Sequence, residues 1–279
     1  MTHELGTCLW FDKKAKDAFL FYKEVFGEVE LLSENPMAVV YKIYGRRFMN
    51  LNGGPEYTIN PSISFFISAS NKEELKAIWN KLIVGGKVMM PLNKYPWSEQ
   101  YGWCADQFGV NWQLMIGHQS SCKIMPHLMF VGNNVGKTEE AIQFYTSIFE
   151  KNKVVDISRY EEGEPDQTGF IKYSQFELNG LPFGAMDSSA NHQFNFNEAV
   201  SFVITVDTQE EIDHYWNKLL EGGKAGKCGW TKDKYGVSWQ VVPSMLGKLM
   251  TNPETAPKAT YAFLQMSKFI IADLEAAVK

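Results

Sequence analysis

Apolar positions along the chain switch repeatedly between two periods. A short apolar run, TCLWF, leads into a stretch where Ala18, Phe21, Tyr22 and Val25 recur at helical spacing. That pattern predicts a strand feeding an amphipathic helix. The same order returns later with PHLMF and then Ala141, Phe144, Tyr145 and Ile148. Alternating segments follow in each place, AVVYKIYG and SQFELNG, and their period of two predicts hairpin strands with Gly45 and Gly180 at the turns. A further strand-to-helix passage begins at SISFFISAS and again at AVSFVITVD. Its helix opens with a capping pattern, Ser70-x-x-Glu73 and Asp207-x-x-Glu210, in which an oxygen accepts from an early helical N–H. Leu75, Ile78, Trp79 and Leu82 form one buried face, and Ile212, Tyr215, Trp216 and Leu219 form its counterpart. Both helices stop at Gly-Gly, where positive φ costs little.

The chain therefore repeats itself. Tyr22 matches Tyr145, Trp79 matches Trp216 and Trp112 matches Trp239. The clearest repeated phrase is GWCADQFGVNWQLMI against GWTKDKYGVSWQVVP. Copy two is longer around RYEEGEPDQTG, and copy one carries KVMMPLNKYPWSEQY between Gly86 and Gly102 where copy two needs only KAGKC. Insertions confined to turn-rich segments are what two copies of one fold show. Helices set among short antiparallel strands predict an α+β fold. Two domains are expected, 1–118 and 122–246, followed by a C-terminal helix over 254–279 whose stripe of Phe263, Met266, Ile270 and Leu274 must be buried.

Length and charge narrow the classes of function. The 279 residues suffice for two ordinary cores, and the formal charge of -5 with scattered lysines and arginines offers no footprint for nucleic acid or anionic lipid. The start has no secretory pattern and no run of 18 apolar residues occurs, so a cytoplasmic location is expected. Cys8, Cys104, Cys122 and Cys228 form no C-x-x-C pair, which predicts free thiols.

The segments CLWFDKKAKDAFLFYKEVF, LNGGP, AVSFVITVDTQEEIDHYWNKLLEGG and CGWTKDKYGVSWQVVP resemble the PhnB-like proteins of the vicinal oxygen chelate superfamily, which has the glyoxalase and bleomycin-resistance fold. The resemblance spans roughly residues 5 to 245 and implies paired βαβββ units, four in this chain, whose curved sheets form cups for a small ligand. It also implies a monomer built as a pseudo-dimer, or a homodimer. Which units join to make a cup is left open.

Enzymes of the superfamily are similar in holding one divalent ion, such as zinc, nickel, manganese or iron. By that resemblance the matching positions of copy two are His127, Glu177 and Gln240. Copy one has Cys8, Lys42 and Gln113 in their places, and both copies have small residues where a second histidine is expected. His127 also reads as a neutral histidine lining a polar pocket or lying near a loop. Gln113 and Gln240 read equally as buried amides bonded to neighbouring backbone. Alternation puts Trp239 and Gln240 on opposite faces of one strand, so only one faces the cup. Trp103, Trp230, Asn52 and Asp187 complete the expected ligand-binding set, Asn52 because Gly53 and Gly54 allow backbone to approach a ligand. Asp106 and Asp233 precede Gly109 and Gly236 and fit a role in stabilising turns.

Three functions compete, beside a structural or partner-binding role that the fold alone leaves open. A metal-free cup that binds a small molecule suits aromatic walls with a few amides. A metal-dependent lyase, isomerase, dioxygenase or thiol transferase would use the copy-two residues. A methyltransferase acting on demethylubiquinone is the label often attached to the family. The nearest glycine-rich turn, GGKAGKCG, follows a helix and leads into a strand, the reverse of a Rossmann methyl-donor site.

Overall fold

The computed structural model describes residues 4–117 and 123–279. Four βαβββ units follow one another. The first comprises β1 (Glu4–Phe11), α1 (Ala15–Phe26), β2 (Val29–Glu34), β3 (Ala38–Ile43) and β4 (Arg46–Asn52). The second comprises β5 (Ile63–Ala69), α2 (Lys72–Leu82), β6 (Lys87–Tyr95), β7 (Ser98–Ala105) and β8 (Asn111–Ile116). Copy two repeats the plan with β9 (Ile124–Phe130), α3 (Thr138–Ile148), β10 (Lys153–Arg159), β11 (Ile171–Leu178) and β12 (Leu181–Asp187). Its second half has β13 (Val200–Val206), α4 (Gln209–Leu219), β14 (Lys224–Ala225), β15 (Trp230–Lys232) and β16 (Ser238–Pro243). Three short helices close the chain, α5 (Met245–Thr251), α6 (Ala256–Leu264) and α7 (Ile271–Val278).

The compact bodies do not follow the repeat. One contains Trp10–Asn195, and the other contains Phe196–Lys279 with the chain start through Leu9. Within the larger body an eight-stranded sheet runs β10-β11-β12-β9-β5-β8-β7-β6. The second unit of copy one thus joins the first unit of copy two, through antiparallel pairing of β5 with β9. The exchange that the sequence left open is resolved for this sheet. In the smaller body β14-β15-β16-β13 continues to β1, again joining copy two to a strand of copy one.

Each unit buries its helix against one sheet face. Trp112 is fully buried with Tyr22, Phe26 and Phe65 around it, at ring separations of 5.5, 4.9 and 5.4 Å. In the smaller body Trp239 stands 5.2 Å from Phe202 and is equally buried. The hairpin turns place Tyr44 with Gly45 and Asn179 with Gly180 at positive φ, as the alternating strands required.

Two expectations shift. The caps lie one residue later than predicted: Asn71 accepts from Glu74 N at 2.8 Å, and Thr208 forms a capping box with Glu211. Adjacent residues in each pair are able acceptors, so composition does not select between them, whereas extended backbone at Asn71 and Thr208 does. The terminal segment is not one helix. It breaks between α6 and α7 because Met266 and Ser267 carbonyls accept from Cys228 N and Gly229 N, and Phe269 packs over Gly229. Phe269 and Leu274 are buried, while Ile270 of the expected stripe is only half-buried.

Candidate functional site

The phrase written twice is a folding device. Asp106 Oδ1 accepts from Phe108 N at 2.8 Å and Val110 N at 3.1 Å, and Oδ2 accepts from Trp112 Nε1 at 2.8 Å. Asp233 does the same for Tyr235 N, Val237 N and Trp239 Nε1, at 2.9, 3.0 and 2.9 Å. One carboxylate therefore closes the turn and fixes the indole that fills the core. Burial pushes the Asp106 carboxyl up to about 6, against the opposing pull of Trp112 and the turn amides. These aspartates hold the last strand in register, and the residue after each tryptophan points to the other face.

That other face, in the larger sheet, carries two rows of side chains. In one row Trp103 stands opposite Gln113, Gln113 opposite Phe66, and Phe66 opposite Met125. In the next row Asn111 stands opposite Ser64, Ser64 opposite His127, His127 opposite Gly184, and Gly184 opposite Gln175. Phe66, Tyr101 and Met125 form an apolar cluster against which half-buried Met90, Tyr95, Trp103 and Met115 pack. The Gln113 amide sits among them, 4 % exposed. Its Nε2 donates to Ser64 Oγ at 2.7 Å, and its Oε1 accepts from the Tyr101 hydroxyl at 2.5 Å. The partners of this amide are side chains, not the backbone groups expected.

His127 is buried, with Ser64 opposite it and aromatic rings beside it. Its ring lies 5.0 Å from Phe66 and is stacked on Tyr173 at 6.0 Å. Gly184 makes room for it, since a Cβ there would come within 2.3 Å of His127 Cδ2 and 3.1 Å of Met125 Cε. A glycine in mid-strand is the sequence signal for this close approach; Gly184, Phe66 and Tyr101 are site residues that the sequence reading did not single out.

The smaller body repeats the floor with other chemistry. Ser201 pairs across strands with both Cys8 and Ser238, and Gln240 lies opposite Trp230 and Val203. Gln240 Nε2 donates to Ser201 Oγ at 3.0 Å, as Gln113 does to Ser64. Cys8 thus stands where His127 stands in the other sheet. Burial pushes its thiol up to about 12, against hydrogen bonds from Gln240 and Ser201.

The expected metal set does not gather. His127 and Glu177 share a face of the larger sheet, whereas Gln240 belongs to the other sheet, in the row next to that of Cys8 and Ser201. The amide that shares His127's sheet is Gln113, already bonded to Ser64 and Tyr101. Among the described residues no three His, Cys, Asp or Glu side chains come together as a metal site. The donors do not fit a divalent ion held by His127, Glu177 and Gln240.

Asn52 and Asp187 serve the framework. Asn52 Oδ1 accepts from Ala15 N at 3.0 Å and its Nδ2 donates to Pro36 O at 3.0 Å. Asp187 Oδ1 accepts from Gly136 N at 2.8 Å and Thr138 Oγ1 at 2.7 Å, and Oδ2 accepts from Ile171 N at 3.0 Å. Each closes a strand onto the first turn of its copy's first helix, where amides lack intrahelical partners. Asn52 is expected in a pocket because Gly53 and Gly54 follow it, and Asp187 holds the equivalent place in copy two, each as the last residue of its strand.

Comparison with known proteins follows the repeat. A family model described as 3-demethylubiquinone-9 3-methyltransferase matches residues 3–115 and again 122–242. The chain belongs to this PhnB-like family, within the vicinal oxygen chelate superfamily. A structure titled putative 3-demethylubiquinone-9 3-methyltransferase, PhnB protein, from Bacillus cereus is 41% identical over 42% of this chain and 96% of its own, with a TM-score of 0.39. Glyoxalase I from Zea mays is 13% identical, covers 89% of this chain and 96% of its own, and has a TM-score of 0.60, which shows a shared fold. No curated protein sequence matches. No described helix of this PhnB-like chain is long and apolar enough to cross a membrane.

Proposed function

We propose that the chain is a small-molecule binding protein whose working cup is the Gln113 face of the eight-stranded sheet. The observation that carries this reading is the buried amide framed by apolar and aromatic side chains. Gln113 keeps one N–H beyond its bond to Ser64, and Phe66, Trp103, Met115 and Met125 offer apolar walls. That combination selects a ligand with an apolar body and one polar end. Trp103 belongs to this set, and Trp230 and Gln240 are its counterparts beside Cys8. This reading assigns no metal role to His127, which is buried with the Phe66 and Tyr173 rings beside it. We place the protein in the cytoplasm as a monomer, in keeping with its free Cys8, Cys104 and Cys228 and the internal repeat.

The family's description brings methyl transfer into view. No residue of the described cup fits it, since the glycine-rich segment at Gly222–Gly229 lies between α4 and β15. The decisive experiment is a thermal-shift screen of metabolites and antibiotics on the full chain, repeated on Gln113→Leu. A ligand at a hundred times its dissociation constant stabilises the folded chain by about 2.7 kcal/mol. The gain is expected to vanish in Gln113→Leu. If no compound raises the melting temperature, or if the variant responds equally, the cup reading fails.

A further inference from the structure

A second depression, of about 590 Å³, opens on the larger body between the end of β1 and the loop that follows β4. Its lining includes Trp10, Tyr57 and Phe108, with Asp12 beside them. The Trp10 indole is fixed from two sides. Its Nε1 donates to Gly54 O at 2.7 Å, and its ring lies so close over Gly53 that a Cβ there would stand 2.2 Å from Cε2. Gly53 N and Gly54 N both donate to Phe11 O, and Gly54 has φ +104, a conformation that favours glycine. The Gly-Gly loop is therefore shaped to hold an indole still.

The arrangement of the rings limits what they receive. The indole N–H is already given to Gly54, so the ring offers a guest its π surface and edges but no donor. Tyr57 meets Trp10 at 80° with centroids 5.1 Å apart, and Phe11 meets Phe108 at 75° and 6.1 Å. A flat aromatic guest is best held between parallel rings, whereas perpendicular walls make a corner for a rounded group. Ring faces attract cations, and a carboxylate nearby adds to that attraction. The ammonium of Lys14, on the rim, is drawn to Asp17 at 3.3 Å.

We propose that this corner is a binding site for an alkylated ammonium group, held by Trp10 and Tyr57 and neutralised by Asp12. It is separate from the Gln113 cup and stands or falls without it. The test is titration of the full chain with choline, followed by ligand-observed NMR, beside 3,3-dimethylbutan-1-ol, which has the same shape without the charge. Choline is expected to bind saturably and the neutral alcohol at least ~5-fold more weakly. Tyr57→Leu and Asp12→Asn, both at exposed positions, are expected to weaken choline by a similar factor while the fold is retained by circular dichroism. Equal affinity for the alcohol, unchanged affinity in both variants, or no saturable choline binding overturns the proposal.

Discussion

The His127 sheet and the Cys8 sheet share a skeleton and differ in what stands on it. In both, a glutamine donates to a serine on the neighbouring strand, a tryptophan lies opposite that glutamine, and an aspartate ties the preceding turn to a core indole. What varies is the first-strand residue, His127 or Cys8, and the side chain beside the amide, Phe66 or Val203. The hairpin varies most. In copy one β6 and β7 are nine and eight residues long and bring Tyr101 to the amide with Tyr95 packed behind it, while β14 and β15 have two and three residues. Three register shifts between β6 and β7 bend that longer hairpin. Trp97 at its tip is 60% exposed and stacks on Tyr95 at 5.1 Å. The turn aspartates, the core indoles and the glutamine–serine–tryptophan floor are repeated, and the side chains around that floor are the ones that diverge.

If that division is right, framework substitutions cost similar amounts in both copies. The largest effect is expected for Trp112→Ala and Trp239→Ala, each removing a fully buried indole at about 3–5 kcal/mol. Urea unfolding measures it. A large loss for one and none for the other would break the equivalence.

Asp106→Asn and Asp233→Asn come next, at about 1–3 kcal/mol each, because an amide presents an N–H where the indole N–H needs an acceptor. Asp106 adds a pH signature. Its folded carboxyl titrates near 6, above the ordinary aspartate range, so between about pH 4 and 6 the folded chain holds the proton more firmly than the unfolded chain. This contribution is fully present below that window and is lost as pH rises through it. The cost of Asp106→Asn is therefore expected to be larger at pH 4.5 than at pH 7. A cost that grows toward pH 7 would reverse the assignment.

Much of the framework was legible in the chain. Helical and alternating periods located the strand and helix types, and the repeated aspartate, glycine and tryptophan located the turns, because each reflects local chemistry. The exchange of units was not legible, since strand pairing between β5 and β9 depends on which edges meet, not on either segment alone. The cup was half legible. Gln113 and Trp103 lie together on one face, as alternation along their strands allows, whereas Asn52 and Asp187 bond the first turn of a helix. A neighbouring Gly-Gly does not distinguish a side chain that faces a ligand from one that turns back to helical amides. His127, Glu177 and Gln240 were grouped by copy, and the sheets are not assembled by copy.

Cys8 offers the smallest and most selective test of the comparison. Its thiol is pushed up to about 12 by burial, so at pH 8 the reactive thiolate is roughly one part in ten thousand. Cys228 is half-buried at a turn, and burial raises its thiol too, against the nearby Lys227. Iodoacetamide alkylation of the native chain, read by peptide mass spectrometry, is expected to modify Cys228 well before Cys8. Mild urea is expected to bring Cys8 to the same rate, because opening the β1–β13 pairing removes the burial that protects it. Rapid native labelling of Cys8 would mean an accessible thiol at the His127-equivalent position. The second floor would then be an open, reactive cup, unlike the enclosed histidine of the first.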